Sequence, residues 1–225
     1  MKVIITGSSG MIGGLVLEKC IQSDKIKEIV SLVRKPSALK SETKVKEVVI
    51  ADFENYATQG ALFQNVDMAF FCIGAYTGST TDEQFEKITV NYAVAFAKEL
   101  KRNSPNATLC MLSGAGADRT EKSKTSFARY KGMAENQISK LGLKFHTFRP
   151  TYIYPVTART EPNWMYKVSR FLYPVIQLMG NNASIKSTEL AEAMFNVGLF
   201  GADKEILENK DIKEQLRKSG ISTNS

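Results

Sequence analysis

The stretch Val3-Ile4-Ile5-Thr6-Gly7-Ser8-Ser9-Gly10-Met11-Ile12-Gly13 decides the fold of this chain. It holds three glycines in the spacing Gly-x-x-Gly-x-x-Gly, directly after a β-branched run and directly before a segment of helical periodicity. In a dinucleotide-binding turn the first glycine makes the bend, the second lets backbone approach a pyrophosphate, and the third lets helix and strand pack closely. The amides that begin the helix then face the phosphates, favoured by the helix dipole. The stretch therefore predicts a dinucleotide-binding turn. Its expected contact residues are Gly7, Ser9, Gly10, Met11 and Ile12.

Strand-like and helix-like segments alternate along the first 150 residues. The predicted strands are Val3–Ile5, Glu28–Val33, Glu47–Ile50, Met68–Ile73, Thr108–Leu112 and Lys144–Phe148. The predicted helices are Ile12–Ser23, Ala57–Gln64, Asp82–Arg102 and Lys124–Leu141. Such alternation is typical of an α/β fold, a doubly wound parallel sheet (Rossmann fold) with helices on both faces.

The texture of the sequence changes after Pro150, where tyrosines, prolines and a bulky apolar segment appear. We expect one domain over residues 1–225, in which residues 151–225 form a small α-rich cap above the carboxyl edge of the sheet. The apolar segment Trp164–Met179 is open to three interpretations: cap packing, a substrate wall, or a subunit or membrane-facing surface. The later elements are predicted at Thr188–Leu199, Lys204–Leu207 and Asp211–Lys218.

Composition narrows the classes of partner. The formal net charge is +7, but acidic residues are interspersed with basic ones and no arginine-rich run occurs, so a nucleic-acid partner is not expected. Cys20, Cys72 and Cys110 have no CxxC spacing, which favours free thiols and a cytoplasmic location. A single histidine, His146, argues against a transition-metal site. Charged residues interrupt Trp164–Met179, so no transmembrane segment is expected.

The end of the second predicted strand carries two basic residues, Arg34 and Lys35. At this position, about 20 residues beyond the glycines, an acidic side chain would bind the ribose hydroxyls of NAD. A guanidinium can instead pair with the 2′-phosphate of NADP and stack on adenine. The sequence therefore favours NADP(H) over NAD as the cofactor.

Two further strand ends are expected in the same groove, since ligands of open α/β sheets bind at the carboxyl ends of the strands. Asp52 and Phe53 follow the third strand, where a carboxylate and an aromatic edge would meet adenine. Cys72, Ile73 and Gly74 end the fourth strand, and the glycine allows close approach of the backbone to the cofactor.

With these residues in view, the chain resembles the short-chain dehydrogenase/reductase superfamily. It is most similar to its atypical NAD(P)H-binding branch, related to sugar-nucleotide epimerases and Tat-interacting oxidoreductase-like proteins. The resemblance covers nearly the whole chain. It depends on Thr6–Gly13, Cys72–Gly74, Leu112–Asp118, Lys131–Glu135, Arg149-Pro150 and Glu189–Met194.

The resemblance implies a catalytic serine or threonine after the fifth strand and a Tyr-x-x-x-Lys pair on the next helix. Lys131 fits the lysine, but Phe127 stands where the tyrosine is expected and has no proton to give. Tyr130 is adjacent to Lys131, and a one-residue step rotates about 100° around a helix. Ser113 matches the first serine of the family pattern, while Gly114 occupies the second place.

The loop after the sixth strand passes the nicotinamide in the resembling family. This implies contacts from Pro150 and Tyr152, and either Tyr152 or Tyr154 is a candidate replacement for the missing phenol. Both tyrosines could equally pack against the cap. The loop Ala75–Thr81 is small and rich in hydroxyls, and is either a flap over substrate or an ordinary surface loop.

These observations leave three hypotheses open. The first is an NADP(H)-dependent oxidoreductase, or a related epimerase-like enzyme, in which Lys131, Ser113 and Tyr152 act on an unknown carbonyl or alcohol. The second is a non-catalytic NADP(H)-binding regulator, motivated by Phe127 and Gly114. The third is a binder of acidic surfaces that uses the +7 charge. A homodimer is compatible with any of them.

Overall fold

A computed structural model of the chain describes residues 1–36, 43–75, 80–156 and 182–222, the last of these with side chains up to residue 217. The first half consists of β1 (Lys2–Thr6), α1 (Met11–Gln22), β2 (Glu28–Val33), β3 (Val45–Val49), a 3₁₀ helix (Ala57–Phe63) and β4 (Met68–Phe71). The second half begins with α2 (Asp82–Glu86), a π-helical turn (Lys87–Asn91), α3 (Tyr92–Asn103), β5 (Thr108–Leu112), α4 (Ser126–Ser139) and β6 (Lys144–Arg149). The chain continues with β7 (Tyr152–Tyr154), β8 (Ser184–Lys186), α5 (Ser187–Phe200), β9 (Ile206–Glu208) and α6 (Asn209–Ser222).

The described strands form a seven-stranded parallel sheet in the order β3-β2-β1-β4-β5-β6-β9, and β7 and β8 form a separate parallel pair. The chain moves outward from β1 to β3, then returns to place β4 on the other side of β1. This reversal opens a crevice at the carboxyl ends of β1 and β4, the usual ligand position in a doubly wound fold. The predicted α/β Rossmann architecture is confirmed.

Each strand of the central sheet is buried on both faces, because successive side chains point to opposite sides. In β1, Ile4 packs into one apolar core with the 3₁₀ helix, α3 and α4. Val3 and Ile5 pack into the other core, against α1 and α5. Five aromatic rings stack edge-on or tilted in the first core: Phe53, Tyr56, Phe63, Phe71 and Phe96.

The long helix expected at Asp82–Arg102 is interrupted. Thr81 caps its start, with its hydroxyl oxygen accepting a hydrogen bond from the Gln84 amide at 3.3 Å. After α2, the residues 87–91 wind as a π turn before α3 continues. Such turns widen a helix locally and often mark functional sites.

The cap expected over residues 151–225 differs from the arrangement of residues 182–222. Strand β9 pairs with β6 at the edge of the main sheet, and α5 packs on α1 and on the sheet. Helix α6 packs in turn on α5. These elements are apolar on the faces that they turn to the sheet, so they complete one of its two helical layers. Residues 157–181, including the segment Trp164–Met179, lie outside the described residues.

Candidate functional site

The glycine loop is built so closely that side chains are excluded from it. Gly7 has φ +75°, a conformation that favours glycine, and a Cβ atom there would lie 2.6 Å from the carbonyl carbon of Cys72. A Cβ atom on Gly13 would lie 2.2 Å from the carbonyl oxygen of Gly7. The Gly10 amide donates to that same oxygen at 2.9 Å, which closes the turn just before α1 begins. This cradle fits a pyrophosphate held by backbone amides at a helix N-terminus.

Two cavities meet at this loop and together form one groove along the carboxyl edge of the sheet. The smaller, of about 210 Å³, extends toward β2, and the larger, of about 610 Å³, extends toward β5 and β6. Four residues line both cavities: Gly10, Cys72, Ile73 and Gly74. A Cβ atom on Gly74 would meet nothing within 4 Å, so this glycine faces open space in the groove.

The smaller cavity is the expected adenosine end. Arg34 lines it beside Phe53, and Ser9 lines it at the loop. Ile88 and Tyr92 complete the wall, and the π turn carries or adjoins both of them. Sequence reasoning missed these two residues, because nothing in the periodicity of the predicted helix signalled a π turn.

Two residues predicted to bind cofactor do not line that cavity. Lys35 is exposed beside Arg34, and Asp52 is exposed at a turn in which its carboxylate accepts from the Glu54 amide at 2.9 Å. Glu54 in turn accepts from Asn91 at 2.8 Å and pairs with Lys87 at 2.5 Å. The loop after β3 is thereby tied to the π turn, which explains how this loop supports the cavity wall.

The larger cavity is the expected nicotinamide end, and Lys131 lies in it. Helix α4 approaches the loop after β5 so closely that a Cβ atom on Gly132 would overlap the carbonyl oxygen of Asp118. This contact brings Lys131 under the strand ends, where its Nζ donates to the Leu112 carbonyl oxygen at 3.3 Å. Burial lowers the pKa of Lys131 from 10.5 to about 8, although the negative charge of Glu135 opposes the shift.

Phe127 also lines the larger cavity, one turn before Lys131. Its ring lies against Gly114, since a Cβ atom on that glycine would be 2.6 Å from the ring Cζ. The two departures from the family pattern therefore belong together: the small residue at position 114 makes room for the phenyl ring at position 127.

Ser113 lines the cavity but points its hydroxyl proton away from it. The Ser113 Oγ donates to Glu135 Oε1 at 2.7 Å, beneath the cavity floor. Glu135 is fully buried and also accepts from Thr147, from Arg149 and from Arg119. Burial raises the pKa of Glu135, but the hydrogen bonds from Arg149 and Ser113 outweigh it and hold that pKa below its ordinary value.

Sequence reasoning did not assign a role to Glu135, Arg149 or Arg119. The first two belong to short motifs of the family resemblance, and their opposite charges were the available signal. Their pairing depends on α4 crossing the end of β6, a contact between segments that no local pattern predicts.

The tyrosines separate clearly. Tyr130 is buried on another face of α4 and its hydroxyl donates to Asp82 at 2.7 Å, so it lies outside both cavities. Tyr152 and Pro150 line the larger cavity. Tyr154 lies two residues further along β7 and is not among the lining residues.

The remaining titratable groups have structural surroundings. His146 donates from Nδ1 to the Lys204 carbonyl oxygen at 2.9 Å, and burial lowers its pKa. Cys20, Cys72 and Cys110 are free thiols, and burial raises the pKa of Cys72 to about 12. Within residues 1–36, 43–75, 80–156 and 182–222, no three His, Cys, Asp or Glu side chains are grouped to hold a metal ion. In the same part of the chain, no helix has the length and apolarity needed to cross a bilayer.

A sequence model described as NAD(P)H-binding matches residues 7–195, from the first glycine of the loop to α5. The chain belongs to this NAD(P)H-binding family. The match includes the loop, Lys131, Glu135 and the strands that form the groove, so a nicotinamide dinucleotide is the cofactor for which the cradle fits. No curated protein matches the chain in sequence.

Solved structures with this fold come from the short-chain dehydrogenase/reductase superfamily. Gre2 of Candida albicans, in complex with NADPH, superposes with TM-score 0.69 at 10% identity over 92% of this chain and 77% of its own. The Bordetella bronchiseptica enzyme WbmF, in complex with NAD+, superposes with TM-score 0.69 at 13% identity over 99% and 78%. A short-chain dehydrogenase/reductase of Burkholderia thailandensis has TM-score 0.61 at 13% identity over 90% and 85%. The predicted superfamily is thereby confirmed at the level of fold.

Proposed function

We propose that this protein is an NADP(H)-dependent oxidoreductase of the short-chain dehydrogenase/reductase type, acting on a carbonyl or alcohol substrate. The observation that carries the proposal is the continuous groove. It has a basic residue, Arg34, at one end, the glycine cradle in the middle, and a buried lysine, Lys131, at the other. A dinucleotide needs these three features in this order.

The preference for NADP(H) is argued from Arg34. Its side chain lines the adenosine end, where a guanidinium can form a bidentate pair with a 2′-phosphate. The structural neighbours include complexes with NADPH and with NAD+, so the fold is compatible with both cofactors. The residue at the end of β2 is then what distinguishes them.

At the other end, we assign Lys131 to the nicotinamide ribose, with Pro150 and Tyr152 along the nicotinamide. The bound cofactor would supply the hydride. Apolar side chains form much of the described wall beyond the lysine, including Leu112, Phe127 and Ile153. Such a wall favours an uncharged substrate, because a charged group buried there would lose its hydration without a partner.

The first experiment is a titration of the purified protein with NADPH, NADP+ and NADH, read by nicotinamide fluorescence. In Arg34→Ala we expect the Kd for NADPH to rise about 10- to 100-fold, the loss of charge-assisted hydrogen bonds worth about 1.5–3 kcal/mol. The Kd for NADH should change less than about threefold. Lys35→Ala tests the neighbouring cation. Arg102→Ala is the matched control, since Arg102 ends α3 far from the groove and is 65% exposed.

An Arg34→Ala protein that loses NADPH and NADH binding equally would contradict the assigned 2′-phosphate contact. Turnover is tested with NADPH and four uncharged carbonyls: isovaleraldehyde, methylglyoxal, cyclohexanone and 9,10-phenanthrenequinone. The first two are named for yeast Gre2, a reductase that superposes with TM-score 0.65 at 13% identity over 92% of this chain and 76% of its own. Tight NADPH binding without turnover of any probe would favour the non-catalytic regulator.

A further inference from the structure

The described side chains around the nicotinamide end that carry an O–H or N–H group are few, and two of them have committed their proton. The Ser113 hydroxyl donates to Glu135 at 2.7 Å, and the Thr151 hydroxyl donates to the Asn182 carbonyl oxygen at 3.2 Å. A hydroxyl carries one proton. Both residues therefore face the cavity only as hydrogen-bond acceptors.

The usual proton donor of this fold is replaced by a side chain that has none. Phe127 occupies the place of the phenol, with its ring against Gly114. No rotation of the ring or shift of the helix gives this position a proton. If a carbonyl is reduced in this cavity, the proton on its oxygen comes from a different group.

Lys131 is the lining residue that retains protons to give. Its ammonium carries three, of which one is used on the Leu112 carbonyl oxygen. The charged or titratable groups that face it are Glu135, one turn along α4, and Cys72 at the end of β4. Glu135 is paired with two arginines, so its charge is largely balanced. The lysine pKa of about 8 then lets both protonation states exist near neutral pH.

We propose that Lys131 is itself the catalytic acid, delivering a proton from Nζ to the carbonyl oxygen of the substrate during reduction. This role rests on the proposed function. One Nζ–H bond breaks and one O–H bond forms, while the carbonyl carbon receives the hydride with its electron pair. The carbonyl is reduced to an alcohol, the nicotinamide is oxidised, and the neutral amine regains a proton from water. In the reverse direction the neutral amine is the base.

The test uses Lys131→Met, with Lys140→Met as matched control, because Lys140 is exposed at the end of the same helix. With NADPH at saturation and the best carbonyl of the panel, kcat of Lys131→Met should fall at least about 100-fold, the scale of general acid catalysis. Lys140→Met should keep the wild-type rate. In the wild type, kcat for reduction should fall as the pH rises through about 8, because the acid must be protonated.

A lysine that only holds the cofactor would behave differently. Its loss would mainly raise the Kd for NADPH, and the residual kcat would keep the wild-type pH dependence; this result would overturn the proposal. In Lys131→Ala, added primary amines should restore turnover, with a rate that depends on the pKa of the amine. Rescue that is independent of the amine pKa, or a 100-fold loss in Tyr152→Phe with Lys131→Met still active, would also overturn it.

A readout without turnover is the titration of the Lys131 ¹³Cε resonance in protein labelled with ¹³C-lysine, assigned by its absence in Lys131→Met. We expect a midpoint near 8 in the free protein. A midpoint at about 10 or above, the value of an ordinary lysine, would contradict the proposal. A wild type that binds NADPH but reduces none of the four carbonyls would instead overturn the proposed function, whatever the midpoint.

Discussion

Glu135→Gln is the substitution whose effect on stability follows most directly from the structure. Glu135 is fully buried and its two oxygens accept five hydrogen bonds. Oε1 accepts from Ser113, Thr147 and Arg149, and Oε2 accepts from Arg149 and Arg119. Glutamine has nearly the same shape, but it replaces one acceptor by an NH₂ group. In either orientation, that group would face at least two donors.

The magnitude follows from the charge that remains. Arg149 is itself buried, at 8% exposure, and would keep its positive charge without the buried carboxylate. Breaking a buried ion pair by removing one partner costs about 3–5 kcal/mol. Glu208 still pairs with Arg149 from the surface at 3.0 Å, so we expect the lower end, about 3 kcal/mol. For a domain of this size this corresponds to a fall in Tm of about 6–12 °C.

The assay is urea and thermal unfolding at pH 7.5, followed by circular dichroism at 222 nm. Glu208→Gln is the matched control: it removes the other carboxylate of the same arginine, but its side chain is 48% exposed. We expect it to cost less than about 1 kcal/mol, as exposed ion pairs do. Equal losses of unfolding free energy in the two variants would refute the reasoning, since burial would then not distinguish the two pairs.

Three further substitutions test the loop and the lysine. Gly13→Ala should abolish NADPH binding and lower the unfolding free energy by about 1–3 kcal/mol, because its Cβ atom would lie 2.2 Å from the Gly7 carbonyl oxygen; fluorescence titration and urea unfolding measure both effects. Gly74→Ala should weaken NADPH binding while leaving the Tm of the free protein unchanged, because its methyl group enters open groove space; a lower Tm without a binding defect would contradict this placement. Lys131→Met should stabilise the protein at pH 7 by up to roughly 3 kcal/mol, since lowering a pKa from 10.5 to about 8 means that the protonated form is disfavoured in the folded state. The wild type should regain this stability between pH 8 and 10.5, so urea unfolding of the two proteins should converge at high pH; a constant difference would refute the lowered pKa.

The fold was predictable because local signals agreed with its tertiary structure. The predicted bounds of β2 and β5 match the structure, since each is a short apolar run with turn residues on either side. The glycine loop identified the crevice, because its spacing reflects steric limits that the structure shows at Gly7 and Gly13. Arg34 and Lys131 were also placed correctly at opposite ends of one groove.

What the sequence did not predict depends on contacts between distant segments. The position of α5 against α1 follows from burial in a shared core, and an amphipathic helix looks the same in a cap as in a layer of the sheet. The commitment of Ser113 to Glu135 requires α4 to be placed against β5. Ser113 was a candidate catalytic residue from its position, and only the direction of its hydrogen bond shows that its proton points away from the cavity.

Lys131 is costly in a way that packing does not explain. Among the described residues its ammonium donates one hydrogen bond, at 3.3 Å, while burial removes it from water. A methionine would fill a similar volume without the penalty of a buried charge. Strongly perturbed titratable groups in a cleft are typical of sites that perform chemistry. The combination of Phe127 with a destabilising lysine is therefore better explained by a proton donor that has moved one helical turn than by a groove that has lost its activity, because a groove that only bound cofactor would gain stability by losing that charge.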